Sequence, residues 1–566
     1  MQSNCIRESS KACFKTCCLN PLLSLPEEPY TSDTPADIID PRRYFVSAIV
    51  SSIQPNATFT NHESLPPSTE LFANLKNVVP HYLNTVLADH IRAQEYHHLS
   101  SQARLDYIGH GLFSYSQKHE SPFFDISYSS TSLSSYLLHG GGQESGFQSE
   151  IRKRIVRYMN MFEEDYSLVF TANETSAFKI LSDSYPFRSD RNLLTVYDYE
   201  NENVQAMVDS ATRRGARAQS AIFNWPSFNV NSRKLRKKVI NKSRLKKRGL
   251  FAFPLQSRMT GSRYSYQWMN LARDNGWHVL LDASALGAKD METLGLSLFQ
   301  PDFLICSFFK IFGENPSGFC CLFIKKSIIS DLSQSDTSMG IISITPTTQK
   351  SENAENQTTP FSSSTPQQQE KATTSEIVEL DEIPKLDTTK IEFRALDHAD
   401  KLGLILISSR LRYLINWLVN ALLTLRHPHS GNGLQLVRIY GPRIKLDRGP
   451  ALAFNLYDWK GERVDPVLVQ KLADRNNISL STGFLRNIWF SDNYQEKEKV
   501  LENNGRVRQK GKQELGVFVV SASLGMLSNF EDMYRVWGFV SRFLDADFVE
   551  KERWRYTALN QTTIEL

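Results

Sequence analysis

An apolar run, WHVLL, ends in Asp282, and about 25 residues further on a second, DFLICS, runs through Ser307-Phe308-Phe309 into Lys310 and a turn holding Gly and Pro. Upstream, SLVFT leads into Ala172-Asn173-Glu174-Thr175 and a helical pattern. Short apolar runs between turn signals read as buried strands. In parallel α/β sheets, ligands sit beyond the carboxyl ends of such strands. Three chemistries are then available there. The Lys310 amine can condense with an aldehyde, and the Asp282 carboxylate can keep a ring nitrogen protonated. Backbone N–H groups with the Thr175 hydroxyl, at a helix N-terminus, can receive a phosphate, and Ser307 can add a second hydroxyl.

Together these groups suit pyridoxal 5'-phosphate, whose aldehyde, ring nitrogen and phosphate need one partner each. Taken singly they have plainer readings. A strand-terminal Asp often caps a helix, and a single Lys is usually a surface group.

The elements that must position them follow an α/β alternation. Helices are expected at Ser149–Phe162, Glu174–Ser184, Val204–Arg214 and Tyr266–Asn275. Strands are expected at Ser167–Thr171, Asn192–Tyr197, Gly249–Phe253, His278–Leu281, Asp302–Ser307 and Phe319–Ile324. Strands alternating with helices of about ten residues imply a mainly parallel sheet covered on both faces. Four segments are expected: a loose arm (1–70), a large α/β domain (71–330), a disordered insertion (331–375), and the end of the large domain with a small C-terminal α+β domain (376–566). In the third, 26 of 45 residues are Ser, Thr, Asn or Gln, too few apolar groups to offset the entropy of ordering. A long apolar helix is expected over Leu402–Leu425.

Composition narrows the function classes. The chain has 566 residues, a net charge of +4, 41% hydrophobic and 11% aromatic residues, which exclude a wholly disordered protein. No apolar run approaches the roughly 20 residues that span a bilayer, so a soluble protein without a membrane partner is expected. Ten of the basic residues lie in 233–248 with no acid among them. The remainder, 55 basic against 61 acidic, is about −6. Chain-wide nucleic-acid binding is therefore not expected. The basic run reads as a solvated insertion, or as a site for an acidic or nuclear-import partner. The seven cysteines (Cys5, Cys13, Cys17, Cys18, Cys306, Cys320 and Cys321) fit a reducing compartment with free thiols. Their N-terminal cluster reads as a flexible tail, or as an acylated or metal-linked one; no metal site is assigned elsewhere. The location expected is cytoplasmic, with nuclear entry through 233–248 as a second reading.

Several motifs in order over more than 400 residues carry a family likeness. They are Tyr107-Ile108-Gly109-His110, FTANETSAFKIL (170–181), Phe253-Pro254-Leu255-Gln256-Ser257 with Thr260-Gly261-Ser262-Arg263-Tyr264, Asp282, SFFKIFG (307–313) and SASLGMLSNFED (521–532). With these the chain resembles the cysteine-desulfurase-like part of molybdenum cofactor sulfurases, in the class V aminotransferase group. It is most like a plant group that lacks the C-terminal MOSC domain, for which little chain is left beyond the small domain. The resemblance implies the type I fold of pyridoxal-phosphate-dependent transferases and a homodimer. It also makes Lys310 the Schiff-base lysine, Asp282 the pyridinium partner, and Thr175 and Ser307 the phosphate-binding hydroxyls.

The departures from the family pattern bear on activity. Where the family stacks a His on the pyridine ring, this chain has Asn201, which cannot shuttle protons as His does. The persulfide-forming cysteine would fall in Thr482–Phe490, and no cysteine follows Cys321. The substrate-carboxylate arginine would fall at Ser521. In the phosphate loop, two glycines are replaced. Without a thiolate nucleophile, taking sulfur from cysteine fails. The expectation is a sulfurase-like pyridoxal phosphate protein with desulfurase activity lost or altered, either a transferase or lyase acting on another small amine or amino acid, or a pseudoenzyme. Two alternatives stand beside it. One is a scaffold using the basic run and the insertion; the other is an active sulfurase with a partner-supplied thiol.

Overall fold

A computed structural model describes residues 40–53, 57–106, 114–119, 124–138, 145–240, 249–284, 296, 299–313, 317–332, 340–347, 393–428, 434–490, 506–509 and 512–562. The N-terminal cysteines, Tyr107–His110, residues 241–248 and most of 331–375 lie outside them.

The body is a seven-stranded sheet. Its order is Tyr166–Thr171, Cys320–Lys325, Phe303–Ser307, Trp277–Asp282, Gly249–Pro254, Asn192–Thr195 and Arg217–Ser220. The last five run parallel; Cys320–Lys325 runs antiparallel to both of its neighbours. All six residues of Gly249–Pro254 are buried, as is nearly all of Trp277–Asp282 and Phe303–Ser307. That is why these strands are continuous apolar runs rather than alternating ones. The strands match the expected ones to within two residues at each end. The edge strand Arg217–Ser220, polar and exposed, carries no such signal.

A second sheet, entirely antiparallel, orders Val437–Tyr440, Ala451–Leu456, Val517–Ser523 and Ser481–Leu485. With the helices Leu404–Leu423, Pro466–Arg475 and Phe530–Ser541 it forms the smaller α+β unit.

Two expectations fail. Within 1–70, Pro41–Ser51 is a helix with Phe45 and Ile49 buried, not a loose arm. Proline at the first helical position and Asp40 accepting from the Arg42 N–H at 3.0 Å start it. Apolar residues four apart then dock it on Leu404–Leu423, where Asn420 donates to the Ile49 carbonyl at 3.2 Å. Within 331–375, Ile341–Pro346 is a strand paired antiparallel with Phe124–Ser129. Its Ile341, Ile342 and Ile344 are buried, enough apolar surface to order that stretch despite its polar surroundings.

The domain boundary moves as well, because residues 40–106 pack on the C-terminal part. Ala103–Arg104 pairs with Ile478–Ser479, and Arg92 donates to Asp532 at 3.0 Å. Arg410, 1% exposed, is the centre of this joint. It grips Asp89 with two hydrogen bonds (2.6 and 3.0 Å) and donates to the carbonyls of Thr85 (3.2 Å) and Ser528 (2.8 Å). Replacing Arg410 with Met takes the cation from Asp89 and one donor from each of those carbonyls. Urea unfolding is expected to show a loss of about 3 kcal/mol; an unchanged midpoint would mean that the joint adds nothing.

Candidate functional site

The parallel strands end together at one edge of the large sheet. Thr171, Thr195, Pro254, Asp282 and Ser307 are their last residues, and Cys320 opens the antiparallel strand at the same edge. Asp282, 3% exposed, accepts from the Tyr197 hydroxyl at 3.0 Å and from the Ser284 N–H and hydroxyl at 3.0 and 2.5 Å. These donors fix the carboxylate in place. Burial, then the neighbouring Asp282 charge, push the Tyr197 hydroxyl well up, so it stays a donor.

Lys310 follows the adjacent strand. Its backbone is left-handed (φ 51°), which costs a non-glycine residue about 1 kcal/mol. The turn imposes it: the Lys310 N–H bonds the Ser317 carbonyl and the Phe308 N–H bonds Phe319 at 2.9 Å. Gly318 (φ 112°) closes the turn, and a Cβ there would lie 2.4 Å from the Phe308 carbonyl oxygen. The Lys310 ammonium lies 5.7 Å from the Phe309 ring centre. Ser307 accepts weakly from the Phe309 N–H at 3.4 Å.

Thr175, expected as a phosphate ligand, is exposed and donates to Asn203 at 2.5 Å. Asn203 in turn donates to Glu174 at 2.7 Å, and Arg258 pairs with the same carboxylate oxygen at 3.3 Å. Arg258 also donates to the Tyr199 hydroxyl at 2.9 Å. Asn201, expected to face a cofactor ring, is buried and turned to its own helix. It caps Glu202–Arg213 by accepting from the N–H groups of Asn203 and Val204 (2.9 and 3.3 Å), and its amide donates to Tyr199.

Sequence reasoning missed Arg258, Tyr197 and Tyr199. The signal was present: Arg258 stands between the matched pieces ending at Ser257 and starting at Thr260, and the two tyrosines alternate beyond a strand end.

The segment that would carry a persulfide cysteine is a strand and turn fastened to this edge. Phe484 is buried, and its carbonyl accepts from Glu200 at 2.8 Å. The Arg486 N–H bonds the Asp198 carbonyl at 2.9 Å, and Asn487 donates to the Tyr197 carbonyl at 3.2 Å. Ser521 donates to the Met259 carbonyl at 3.3 Å and Ser523 to that of Arg258 at 3.0 Å. Beyond the site, Ser232–Val239 forms a basic helix with Leu235 and Val239 buried. Its Lys234 lies 4.4 Å from the Trp489 ring, an aromatic that the linear run 233–248 does not contain. Among the described residues no group of His, Cys, Asp and Glu could hold a metal, and no single helix is long and apolar enough to cross a membrane.

With this geometry the fold is α/β of the type I arrangement: a large, mainly parallel sheet whose strand ends face a smaller C-terminal unit. No family model matches the chain. Curated relatives do, among them molybdenum cofactor sulfurases, as the motifs implied. That of Bos taurus is 27% identical over 74% of this chain and 47% of its own length. The Aspergillus niger protein is 27% identical over 82% and 54%, and that of Arabidopsis thaliana 26% over 69% and 50%. The chain thus spans about half the length of the curated relatives it matches. Among solved structures, a cysteine desulfurase of Escherichia coli aligns over 81% of this chain and 98% of its own, with 14% identity and a TM-score of 0.47. An alanine–glyoxylate aminotransferase of Nostoc aligns over 78% and 95%, with 12% identity and a TM-score of 0.44.

Beside the site, Asp198 is wholly enclosed and accepts from the Thr260 hydroxyl at 2.6 Å. Burial raises its carboxyl to about 6. The folded protein therefore holds a proton there that the unfolded chain, with a carboxyl near 3.9, releases. This contribution to stability is whole below pH ~4 and is lost as pH rises through about 6, some 3 kcal/mol in all. Asp198→Asn is expected to flatten that fall. Urea-unfolding curves of variant and wild type that stay parallel from pH 4 to 7 would contradict it.

Proposed function

We propose that this chain is a sulfurase-like protein that receives pyridoxal 5'-phosphate at the strand-end edge and by itself does not release sulfur from cysteine. The observation that carries the first half is Asp282, a buried carboxylate held by Tyr197 and Ser284 on the strand next to the one that leads into Lys310. This fits the ring end of the cofactor, since a protonated ring nitrogen needs an acceptor that is already oriented. At the phosphate end, Arg258, Asn203 and Thr175 supply cationic and polar groups, and Glu174 stands among them in the place of an anion. Bound there, the cofactor supplies an aldehyde for an amine and a ring that draws electrons from a breaking bond.

The chain's own residues do the rest. The turn fixes the Lys310 backbone beside the site, where its amine can take or return a proton. Tyr197 keeps its hydroxyl proton and so holds Asp282 in one orientation. The strand around Phe484 is bonded to the segment that carries Tyr197 and Tyr199 and so steadies it.

The second half rests on the cysteines. Sulfur transfer needs an accessible thiolate. Among the described residues the cysteines are Cys306, Cys320 and Cys321, all buried, and burial pushes the Cys320 and Cys321 thiols well up. Thr482–Phe490 offers no thiol in their place.

The test is reduction with borohydride after adding the cofactor, followed by peptide mass analysis. The expected result is one modified peptide containing Lys310, absent in Lys310→Ala, with no sulfide formed from cysteine. An unmodified Lys310 defeats the cofactor assignment. Sulfide release that Lys310→Ala abolishes defeats the assignment of inactivity.

A further inference from the structure

The helix Ser232–Val239 carries Arg233, Lys234, Arg236, Lys237 and Lys238 and no acid. Asn231 caps it by accepting from the Lys234 N–H at 3.1 Å, and the buried Leu235 and Val239 hold it to the body. The Trp277 indole donates to the Val239 carbonyl at 3.0 Å, and the Lys238 ammonium to the Ser220 carbonyl at 2.7 Å. These bonds tie the helix to two strands of the large sheet. Its outer face is therefore a preformed surface and not a peptide that orders on binding.

Arg233, Arg236 and Lys237 are exposed, and their spacing of three and four residues lines them up along one side. Among the described residues none of the five cations is in an ion pair. Burial, then the neighbouring Lys234 charge, hold the Lys238 ammonium below its ordinary range. Helix polarity accounts for the cations of the last turn, because a carbonyl end favours positive charge. It opposes Arg233 and Lys234 in the first turn, and like charges three and four apart destabilise a helix. Beside these cations stands Trp489, 38% exposed, with the Lys234 ammonium 4.4 Å from its ring centre. The Trp225 N–H bonds the Trp489 carbonyl at 3.0 Å and fixes its backbone. A tryptophan at the surface next to arginines without counter-charges has the composition of a protein interface rather than of a solvated face.

The geometry points to a docking surface for an acidic polypeptide segment, in which Arg233, Arg236 and Lys237 receive carboxylates and Trp489 receives an apolar side chain. Eight helical residues extend about 12 Å, the reach of about four residues of extended chain. Nucleic acid fits less well. Three exposed cations meet about three phosphates, too few to hold against cellular salt. One face of the Trp489 ring is covered by Lys234 rather than open to a base. A long polyanion would also meet the rest of the chain, which outside 233–248 has 55 basic and 61 acidic residues, about −6. Docking here needs no cofactor at the strand-end edge.

Fluorescence anisotropy with the full chain tests this. The probes are a labelled peptide of alternating Glu and Leu, an all-Glu peptide, and a single-stranded RNA. The Glu–Leu peptide is expected to bind at low salt and to be released as salt rises. Removing the exposed charges together (Arg233→Gln, Arg236→Gln, Lys237→Gln) is expected to weaken it about tenfold. Trp489→Ser is expected to weaken the Glu–Leu peptide about fivefold and to leave the all-Glu peptide unchanged. The triple variant keeps Leu235, Val239 and the Asn231 cap; if it nonetheless does not fold, the salt titration of the wild type decides. No binding of the Glu–Leu peptide to the wild type, binding indifferent to salt, or equal binding to wild type and triple variant overturns the proposal. So does RNA that binds more tightly than the peptide and is lost in the triple variant, which gives the surface to nucleic acid.

Discussion

A sheet covered on both faces has one free margin for polar chemistry, the line where its strands stop. In this protein Gly249–Pro254, Trp277–Asp282 and Phe303–Ser307 lie side by side with almost every side chain buried. Charged groups anywhere along them would be dehydrated without partners. The carboxyl edge therefore gathers Thr171, Thr195, Asp282 and Ser307, and the loops beyond it add Lys310, Arg258 and the tyrosines. Even the antiparallel strand obeys this rule. Its first residue, Cys320, lies at that edge, where burial first and then the charges of Glu174 and Asp282 raise its thiol.

The smaller unit completes that edge by main-chain bonds rather than by side chains alone. The carbonyl of Phe484 and the N–H of Arg486 bond Glu200 and Asp198, the segment that also supplies Tyr197 and Tyr199. Ser521 and Ser523 bond the Arg258–Met259 backbone. Through these bonds the strand around Phe484 and the two serines join the two units. The Arg410 cluster works in the same sense at the far side, binding the N-terminal helices to the helix Leu404–Leu423.

Elements with strong apolar runs were legible in the sequence to within a residue or two, since a doubly buried strand leaves an uninterrupted hydrophobic signature. The placement of Asp282 at a strand end and of Lys310 in a turn was legible too, because a strand end followed by a turn is visible in one dimension. Arg217–Ser220 was not legible: it is an edge strand with polar side chains, added by backbone pairing to Asn192–Thr195. Ile341–Pro346 was hidden by its Ser- and Thr-rich surroundings, and its partner lies over 200 residues earlier in the chain. The Glu174–Arg258–Tyr199 network was illegible for a different reason. Its members come from three separate connections, and no spacing within any one of them announces the others.

The three cysteines of the sheet carry a consequence for the protein's lifetime. Cys306 and Cys321 are direct cross-strand partners, and Cys320 donates its S–H to the Cys306 carbonyl at 3.0 Å. While the sheet is closed, no oxidant reaches them. Once it opens, the same three thiols become accessible within one short hairpin, free to ionise and cross-link in ways the closed sheet does not accommodate. Durability in air is then governed by how often the sheet opens, a rate, and not by the free-energy difference between folded and unfolded chains.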